Sequence, residues 1–304
     1  MRFDLNVDQQ TFATVLGQML QGAAFAPVEG WGRYDLGTAL EAQFDAGGFF
    51  DAAAEPDLGP VAAALMVHDV AGVPVCFELA ASALIRPFLG RDVPRPLAVR
   101  VDGQPGALRY LPQARGIVEI GETVRYADLP DGAAQPVDSL YAYPMGELTD
   151  PEALDWQTLD ADPAKLRALW QVATAAELTG VLRAGLDAVL AHVRDRRQFG
   201  QPLGAFQGVQ HRLANAAVEI EGARLMMLRA AQRQAPGDAA LALGRAQEIT
   251  NAITYDLHQF MGAMGLTLEH PLHRWTYRAK LLKAEMGGMG AAYLSYATDR
   301  WGAP

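Results

Sequence analysis

A segment between positions 195 and 214 has residue types and spacing that could hold a phosphate group. Two adjacent arginines, the first of them Arg196, and Gln198 end one predicted helix, and a Gly-x-Pro-x-Gly turn leads to Gln207 at the start of the next. Guanidinium forks, a planar amide and a helix start are groups that bind a pyrophosphate. Basic residues near a helix C-terminus can also merely complement the helix dipole. The residue types alone leave both interpretations open.

A second group of residues near the C-terminus could suggest a metal site. Its members are His258, Glu269, His270 and His273. Their spacing matches no standard zinc pattern. We therefore predict no metal site in this chain.

Composition limits the kinds of protein this chain can be. Its 304 residues are 50% hydrophobic, carry a net charge of −10 and include one cysteine, Cys76. The apolar content favours a sizeable core, and the negative charge argues against nucleic acid as a partner. A single cysteine excludes an internal disulfide and fits a reducing compartment. The sequence shows no secretory signal and no apolar run long enough for a membrane, so we expect a soluble, cytoplasmic protein without membrane partners.

Residues 1–92 are predicted to form an N-terminal helical domain. Asp8 is expected to cap a helix that runs to Gln21, and further helices are expected near 39–44, 60–72 and 77–89. The first helix would bury one apolar face, made of Phe12, Val15, Leu16 and Leu20.

Residues 93–148 are predicted to form a small β domain. Alternating apolar and polar residues indicate strands at 97–101, 107–111, 116–120 and 122–127. Asp102-Gly103 and Gly121 are expected to form hairpin turns.

Residues 149–304 are predicted to form a four-helix bundle. Pro163 fits the first turn of a long helix that follows Asp160 or Asp162. A second helix follows Phe206, a third runs from Gly237 to about His258, and a fourth runs from near Pro271 towards the C-terminus. The expected fold class is therefore mainly α with a small β domain.

Several motifs of the chain resemble the acyl-CoA dehydrogenase family. Residues 196–207 resemble the family's signature Arg-x-Gln-Phe-Gly-x-Pro-[Leu/Ile]-x-x-Phe-Gln, and residues 259–271 resemble its Gln-x-x-Gly-Gly-x-Gly segment. Arg278-Ala-Lys resembles the Arg-Asp-Ala that follows, and residues 1–12 resemble the family's start. The resemblance implies an acyl-CoA dehydrogenase-like fold: N-terminal helices, a reduced middle β module and a C-terminal four-helix bundle.

The resemblance also implies FAD bound between two subunits, with the bundle of one subunit reaching the pyrophosphate and adenosine of its neighbour's FAD. The matching positions are Arg196, Gln198, Phe199, Gln207, Gln259 and Gly262. The chain departs from the family at Ala263, where a second glycine is usual.

Other parts of the family pattern are missing. Nothing between positions 94 and 143 resembles the Thr-Glu-Pro-x-x-Gly-Ser-Asp stretch or the Ile-Thr-Asn-Gly turn that hold the flavin ring and line the acyl-CoA site. The two positions that match the family's catalytic glutamate are Met286 and Trp170, and neither is a carboxylate. A shift of one residue would bring in Glu285, which is the remaining candidate base. Otherwise Glu285 is expected to be a surface acid near Lys283.

The resemblance therefore implies the smaller, degenerate subunit of a heteromeric, FAD-dependent acyl-CoA dehydrogenase. A full-length homologue would be the catalytic partner, in an α2β2 assembly that shares FAD. An acyl-CoA would be the substrate, with a steroid side-chain thioester as one candidate, and electron-transferring flavoprotein would be the electron acceptor. Two alternatives stay open: a self-sufficient dehydrogenase with Glu285 as base, and a flavin-free structural subunit.

Overall fold

The first third of the chain is helical in this computed structural model, which describes residues 4–21, 30 and 32–302. The predicted similarity at positions 1–12 falls partly on residues 1–3, which lie outside the described residues. The N-terminal helices are α1 (Val7–Gln21), α2 (Thr38–Ala46), α3 (Gly59–Ala71) and α4 (Ala80–Leu84).

Helix α1 begins two residues earlier than its sequence pattern suggested. Asn6, not Asp8, caps it: the Asn6 side-chain oxygen accepts from the Gln9 backbone N–H at 2.8 Å, and the Gln9 side chain accepts from the Asn6 N–H at 3.2 Å. This reciprocal pair is a capping box. Leu16 is fully buried as expected, but Val15 is 40% exposed and does not belong to the buried face.

Two small sheets form the middle of the molecule. The larger has the order β1 (Leu97–Val101), β3 (Gly116–Ile120), β4 (Val124–Asp128) and β7 (Gln157–Leu159). The smaller has the order β2 (Leu108–Arg109), β6 (Met145–Leu148) and β5 (Ala134–Val137).

The strand pairing confirms one predicted hairpin and corrects the other. Strands β3 and β4 are antiparallel, and Gly121 lies in the turn between them. Strands β1 and β3 are parallel, so Asp102-Gly103 does not join two adjacent antiparallel strands. The Asp102 carboxylate instead pairs with Arg167 on the bundle. The prediction failed because antiparallel pairing of sequence neighbours was assumed.

Five helices make up the C-terminal region. They are α5 (Pro163–Asp195), α6 (Gln207–Arg233), α7 (Pro236–Met261), α8 (Leu272–Leu282) and α9 (Gly288–Trp301), and a two-residue-per-strand hairpin of β8 (Arg197–Gln198) and β9 (Gln201–Pro202) joins α5 to α6. Asp162 caps α5 by accepting from the N–H groups of Ala164 and Lys165, which settles the choice between Asp160 and Asp162.

The predicted fourth helix is in fact two helices. The chain leaves helical geometry at Met286, Gly287 and Gly288, whose φ angles are +55°, +82° and +70°. Two of these residues are glycines, which adopt this conformation without the cost of a Cβ. The break separates α8 from α9 and turns the chain where the sequence pattern suggested continuity.

One core runs through all three regions of the sequence. It includes residues of α1–α4, of the larger sheet and of α5–α9. Helix α3 packs so closely on α5 that a Cβ at Gly180 would lie 2.1 Å from the His68 carbonyl oxygen. The architecture is mainly α with a small β part, as predicted, whereas the division at 92 and 148 stays a prediction. Within the described residues, no helix has both the length and the apolar character needed to cross a bilayer.

Candidate functional site

The six residues predicted to contact FAD all lie at one end of the helical bundle. Helices α5, α6 and α7 pack against one another, and an ion pair between Arg212 and Asp256 joins the start of α6 to the end of α7. The end of α5, the start of α6 and the end of α7 therefore meet. We call the surface formed by residues 194–207 and 259–263 the bundle end.

The side chains at the bundle end face solvent. All six predicted contact residues are exposed: Arg196, Gln198, Phe199, Gln207, Gln259 and Gly262. Phe199 is 88% exposed and adopts a φ of +54°, and its ring makes an edge contact with Phe206 at 6.1 Å between centroids. An exposed aromatic ring held in left-handed backbone geometry is costly for an isolated chain and suits contact with another molecule.

The backbone at Arg196 is fixed while its guanidinium is left available. Its N–H donates to the His192 carbonyl and its carbonyl accepts from Leu203 N–H, both at 2.8 Å. Among the described residues, no acid pairs with the side chains of Arg194, Arg196 or Arg197. Three cations without an acidic partner, at the end of α5 and the start of the hairpin, can bind an anion.

The charge of the chain is divided unevenly. Residues 163–304 contain sixteen Lys and Arg against eleven Asp and Glu, whereas residues 1–162 contain nine against twenty-four. The bundle is thus basic within an acidic protein. Electrostatic attraction of an anionic group to this half is favoured despite the net charge of −10.

The remaining bundle-end residues fit close contact with a polar ligand. Gln207 is the first residue of α6, and its amide lies 3.5 Å from the His211 ring. Gly262 ends α7 with φ +64° and ψ −147°, and nothing lies within 4 Å of its would-be Cβ. A ligand could approach that backbone closely. The groups present therefore fit the pyrophosphate and adenosine half of FAD.

A second constellation lies buried between the small sheet and the bundle. The Arg109 guanidinium on β2 pairs with two carboxylates, through Nη1 to Glu177 and through Nε to Glu285 Oε1 at 2.7 Å. The Tyr143 hydroxyl donates to Glu177 Oε1 at 2.7 Å. Trp170 places its ring 4.9 Å from the Arg109 guanidinium carbon. We call these five residues the buried centre.

Electrostatics hold the buried centre together. Burial raises the pKa of the Glu285 carboxyl, and the adjacent Arg109 opposes that rise. Burial also raises the pKa of Tyr143 well above its usual range, with the Glu177 carboxylate acting in the same direction. Tyr143 is therefore a neutral donor, and Arg109 serves as the shared cation for two acids.

The structure places Glu285 inside the molecule and not on its surface. The expectation of a surface acid near Lys283 is wrong: the Glu285 side chain is 16% exposed and bound to Arg109, while Lys283 Nζ binds Asn251 Oδ1 at 2.8 Å. Thr174 Oγ1 lies 3.4 Å from Glu285 Oε2. Arg109 and Thr174 thus engage this carboxylate.

The turn that carries Glu285 is fixed from the opposite side. The Gln247 amide nitrogen donates to the carbonyl oxygens of Leu282 at 3.1 Å and Glu285 at 3.0 Å. The first of these carbonyls is that of the last residue of α8, and the second lies three residues beyond it and also accepts from the Gly288 N–H. The break between α8 and α9 is consequently held by Gln247 through its backbone and by Arg109 through its side chain.

The two positions that match the family's catalytic glutamate line one small cavity beside Glu285. Trp170 and Met286 both face this cavity, whose volume is about 60 Å³. That space takes a few water molecules, whereas small-molecule sites measure about 300–1,000 Å³.

Another acid on the cavity wall, Glu78, is already hydrogen-bonded to the backbone. It accepts from the N–H groups of Ala81 at 2.8 Å, Ser82 at 3.1 Å and Leu97 at 3.3 Å. Burial raises its pKa, which those hydrogen bonds oppose. Glu78 therefore organises the junction of α4 and β1.

Sequence reasoning missed Arg109, Glu177 and Tyr143. Arg109 is 68 residues from Glu177 and 176 from Glu285, so no local spacing links them. One signal was present: Glu177 interrupts the apolar stripe of α5, where an acid needs a buried partner. The stripe could have flagged Glu177, but not its partner.

The histidines considered above as metal ligands form hydrogen bonds within the protein. His258 Nε2 contacts Thr276 Oγ1 at 3.0 Å, and His273 Nδ1 contacts the His270 carbonyl at 2.9 Å. No group of three or more His, Cys, Asp or Glu side chains in the described part of the chain has metal-binding geometry.

Comparison with known proteins identifies the helical region. Residues 171–290 match the family described as acyl-CoA dehydrogenase, C-terminal domain. A probable acyl-CoA dehydrogenase of Mycobacterium tuberculosis, FadE25, is 34% identical over 118 residues, 37% of this chain and 30% of the relative. Acyl-CoA dehydrogenase IpdE2 of Mycolicibacterium smegmatis is 35% identical over 105 residues, 34% of each chain. The matched part spans about a third of these relatives' length.

Solved structures with a similar fold cover nearly the whole chain. The Tcur3481-Tcur3483 steroid ACAD has a TM-score of 0.77 at 20% identity and covers 98% of both chains. The ChsE4-ChsE5 complex from Mycobacterium tuberculosis has a TM-score of 0.74 at 20% identity and covers 100% of both. An FAD complex of PigA has a TM-score of 0.71 at 18% identity and covers 99% of this chain and 100% of that one.

These similarities agree with the order of helices, small sheets and bundle described above. The chain has the acyl-CoA dehydrogenase fold, and its C-terminal helical region belongs to the acyl-CoA dehydrogenase family.

Proposed function

We propose that this chain is the non-base-bearing subunit of a heteromeric FAD-dependent acyl-CoA dehydrogenase. Its bundle end would bind the pyrophosphate and adenosine of an FAD whose flavin ring lies in a partner chain. When bound, FAD would supply the hydride acceptor for desaturation of the acyl group.

One observation carries the proposal. The bundle end has cations without an acidic partner among the described residues, whereas Glu285, the candidate base, forms an ion pair inside the chain. Arg194, Arg196 and Arg197 have no acidic partner among the described residues, whereas Glu285 is bound to Arg109. An exposed cation can bind a ligand at little cost. Both oxygens of Glu285, in contrast, lie against Arg109 and Thr174, beside a cavity of about 60 Å³ that is too small for an acyl-CoA. The chain is therefore suited to binding and not to proton abstraction.

Each bundle-end residue has a role that its chemistry suits. Arg196 would pair with phosphate oxygens, and Gln207 and Gln259 would hydrogen-bond nucleotide oxygens. Gly262 would let the nucleotide approach the backbone. The exposed ring of Phe199 would be covered by the nucleotide or by the partner.

The partner would supply what this chain lacks. A full-length acyl-CoA dehydrogenase homologue would hold the flavin ring, the thioester and the catalytic glutamate, in an α2β2 assembly that passes electrons to electron-transferring flavoprotein. The similarity to a steroid ACAD and to the ChsE4-ChsE5 complex supports a heteromer and a steroid side-chain CoA thioester as substrate.

Counting FAD in the separate chain and in the complex tests the proposal. The chain is expressed alone and together with a full-length acyl-CoA dehydrogenase encoded beside it, and bound flavin is measured by absorbance. We expect no FAD in the chain alone and one FAD per pair of chains in the complex. A yellow preparation that contains this chain alone and oxidises an acyl-CoA would refute the proposal.

Two variants separate the alternatives. If the chain is self-sufficient, Glu285→Gln abolishes its turnover of acyl-CoA while leaving FAD bound. If it is a flavin-free structural subunit, Arg196→Ala leaves the FAD content of the complex unchanged. Under the proposed function, Glu285→Gln changes stability alone and Arg196→Ala lowers FAD retention.

A further inference from the structure

A second, smaller cavity lies next to the buried centre. Its volume is about 20 Å³, and apolar side chains of α3, α4, α5 and the segment between α3 and α4 form most of its wall. Its polar wall is made of Cys76, Tyr110, Tyr143, Glu177 and Arg278. The cavity thus lies where the N-terminal helices, the small sheet and the bundle meet.

Arg278 brings an unsatisfied donor to this cavity. The residue is 2% exposed; its Nε donates to the Ala142 carbonyl at 3.2 Å, and its Nη1 donates to the Val75 carbonyl at 3.1 Å. Its Nη2 is buried and has no hydrogen-bond partner in the part of the chain that the structure describes. A buried donor on a charged group destabilises the fold strongly when it is left unbonded.

Glu177 offers the matching acceptor on the same wall. Its carboxylate already accepts from Tyr143 and Arg109, but a carboxylate has about four acceptor sites. Burial raises the pKa of the Cys76 thiol to about 11, so this neighbour is neutral. The cavity therefore has a cationic donor on one side and an anionic acceptor on the other.

We propose that one ordered water molecule occupies this cavity, accepting a hydrogen bond from Arg278 Nη2 and donating one to the Glu177 carboxylate. A single water needs about 10–15 Å³ and two or more polar partners, and the cavity provides both. An anion would face Glu177, and a metal cation would face Arg278. Larger ligands do not fit in about 20 Å³.

The water joins two networks that are otherwise separate. Glu285, Arg109, Glu177 and Arg278 become one chain of two acids and two cations, linked directly at two steps and through water at the third. This chain connects the loop at 73–75, the small sheet and the bundle. Such a fully satisfied network fixes one arrangement of the three regions.

The relative stability of two Cys76 variants distinguishes a cavity that holds water from an empty one. In a wet cavity, Cys76→Ser adds a hydroxyl that can bond the water, whereas Cys76→Val displaces the water and leaves Arg278 Nη2 unbonded. We expect Cys76→Val to lower the folding equilibrium constant by about ten- to a hundredfold and Cys76→Ser by less than about fivefold. Urea unfolding of the full chain measures both.

The reverse order of stability would overturn the proposal. In a dry cavity, valine would stabilise the fold by filling the void, and the serine hydroxyl would destabilise it because it finds no hydrogen-bond partner. Cys76→Val would then be at least as stable as Cys76→Ser. Val118→Thr, at a fully buried position away from both cavities, is the control that shows the cost of a hydroxyl in the dry core. Where Cys76→Val does not fold, a crystal structure decides: we expect a water peak about 2.7–3.2 Å from Arg278 Nη2, and its absence would contradict the assignment.

Discussion

The bundle end and the buried centre use arginine in opposite ways. At the buried centre, Arg109 is enclosed and pairs with both Glu177 and Glu285, so its charge is neutralised within the chain. At the bundle end, Arg196 is exposed, its backbone is fixed by two hydrogen bonds, and no described acid pairs with it.

This difference shows which part of the chain is available to bind another molecule. A buried ion pair contributes little net stability while intact, but breaking it leaves an uncompensated charge inside the protein. An exposed, unpaired cation costs the fold almost nothing and remains available. The buried centre therefore serves the fold, whereas the bundle end is left available as a surface.

Removing the shared cation should have the largest effect. Arg109→Met would leave two acids buried without a cation, and we expect the free energy of unfolding to fall by about 3–5 kcal/mol. Urea denaturation of the full chain measures this loss. Arg183→Met, which breaks an exposed i,i+4 pair with Asp187, is the control and should cost about 0.5 kcal/mol or less. A loss below about 1 kcal/mol for Arg109→Met would mean that the buried centre does not hold the fold.

Removing the exposed cation should affect ligand binding and leave the fold alone. We expect Arg196→Ala to weaken FAD retention by the complex by about ten- to a hundred-and-fiftyfold, since hydrogen bonds to charged groups contribute about 1.5–3 kcal/mol. FAD release on dilution measures the change. Arg300→Ala is the control, because Asp299 beside it lies against Gly237 at the opposite end of α7. Equal retention in both variants would remove Arg196 from the site.

A pH experiment tests whether the interior near α3 excludes charge, in contrast to the buried centre, which holds paired charges. Burial lowers the pKa of His68 to about 3, so its folded value lies below its unfolded value and stability falls as pH drops through 6.5. Burial raises the pKa of the adjacent Asp69 to about 6, which has the opposite sign and offsets part of that loss.

The two residues can be separated by substitution. Between pH 7 and pH 5, Asp69→Asn should lose about 2 kcal/mol of unfolding free energy, because only the unfolded state then takes up a proton at position 68. His68→Gln should lose none over that interval. Urea midpoints at the two pH values supply the comparison, and parallel slopes for both variants would show that His68 is not kept neutral by burial.

The smallest effect is expected at a neutral bundle-end residue. Gln207→Ala should weaken FAD retention by about three- to tenfold, the range for one neutral hydrogen bond. Gln210 provides the contrast, since its amide donates to the Gly204 carbonyl at 2.8 Å within the chain. Gln210→Ala should lower the unfolding temperature and leave the intrinsic FAD affinity unchanged; an equal loss of affinity would show that the turn, and not Gln207, supports binding.

Local signals predicted the helices well. Asp162 followed by Pro163 marked the start of α5, because the side-chain cap and the fixed proline φ act within one turn. The Asn6–Gln9 capping box is equally local and could have been found in place of Asp8.

The pairing of strands and the break between α8 and α9 were harder to predict. The parallel register of β1 and β3 depends on what lies between them, and the sequence pattern of each strand is the same for either direction. Gly287 and Gly288 permit the break after α8, and Gln247 and Arg109 hold it from distant parts of the chain. Neither contact can be found from nearby residues.

The sequence by itself determined the helical segments, the motif at 196–207 and the lack of a carboxylate at positions 170 and 286, because these depend on residue type and short spacing. Only the tertiary structure decided what Glu285 does, because its partner Arg109 is 176 residues away and reaches it through the packing of the small sheet on the bundle. A carboxylate's chemistry depends on its surroundings, and folding alone brings those surroundings together.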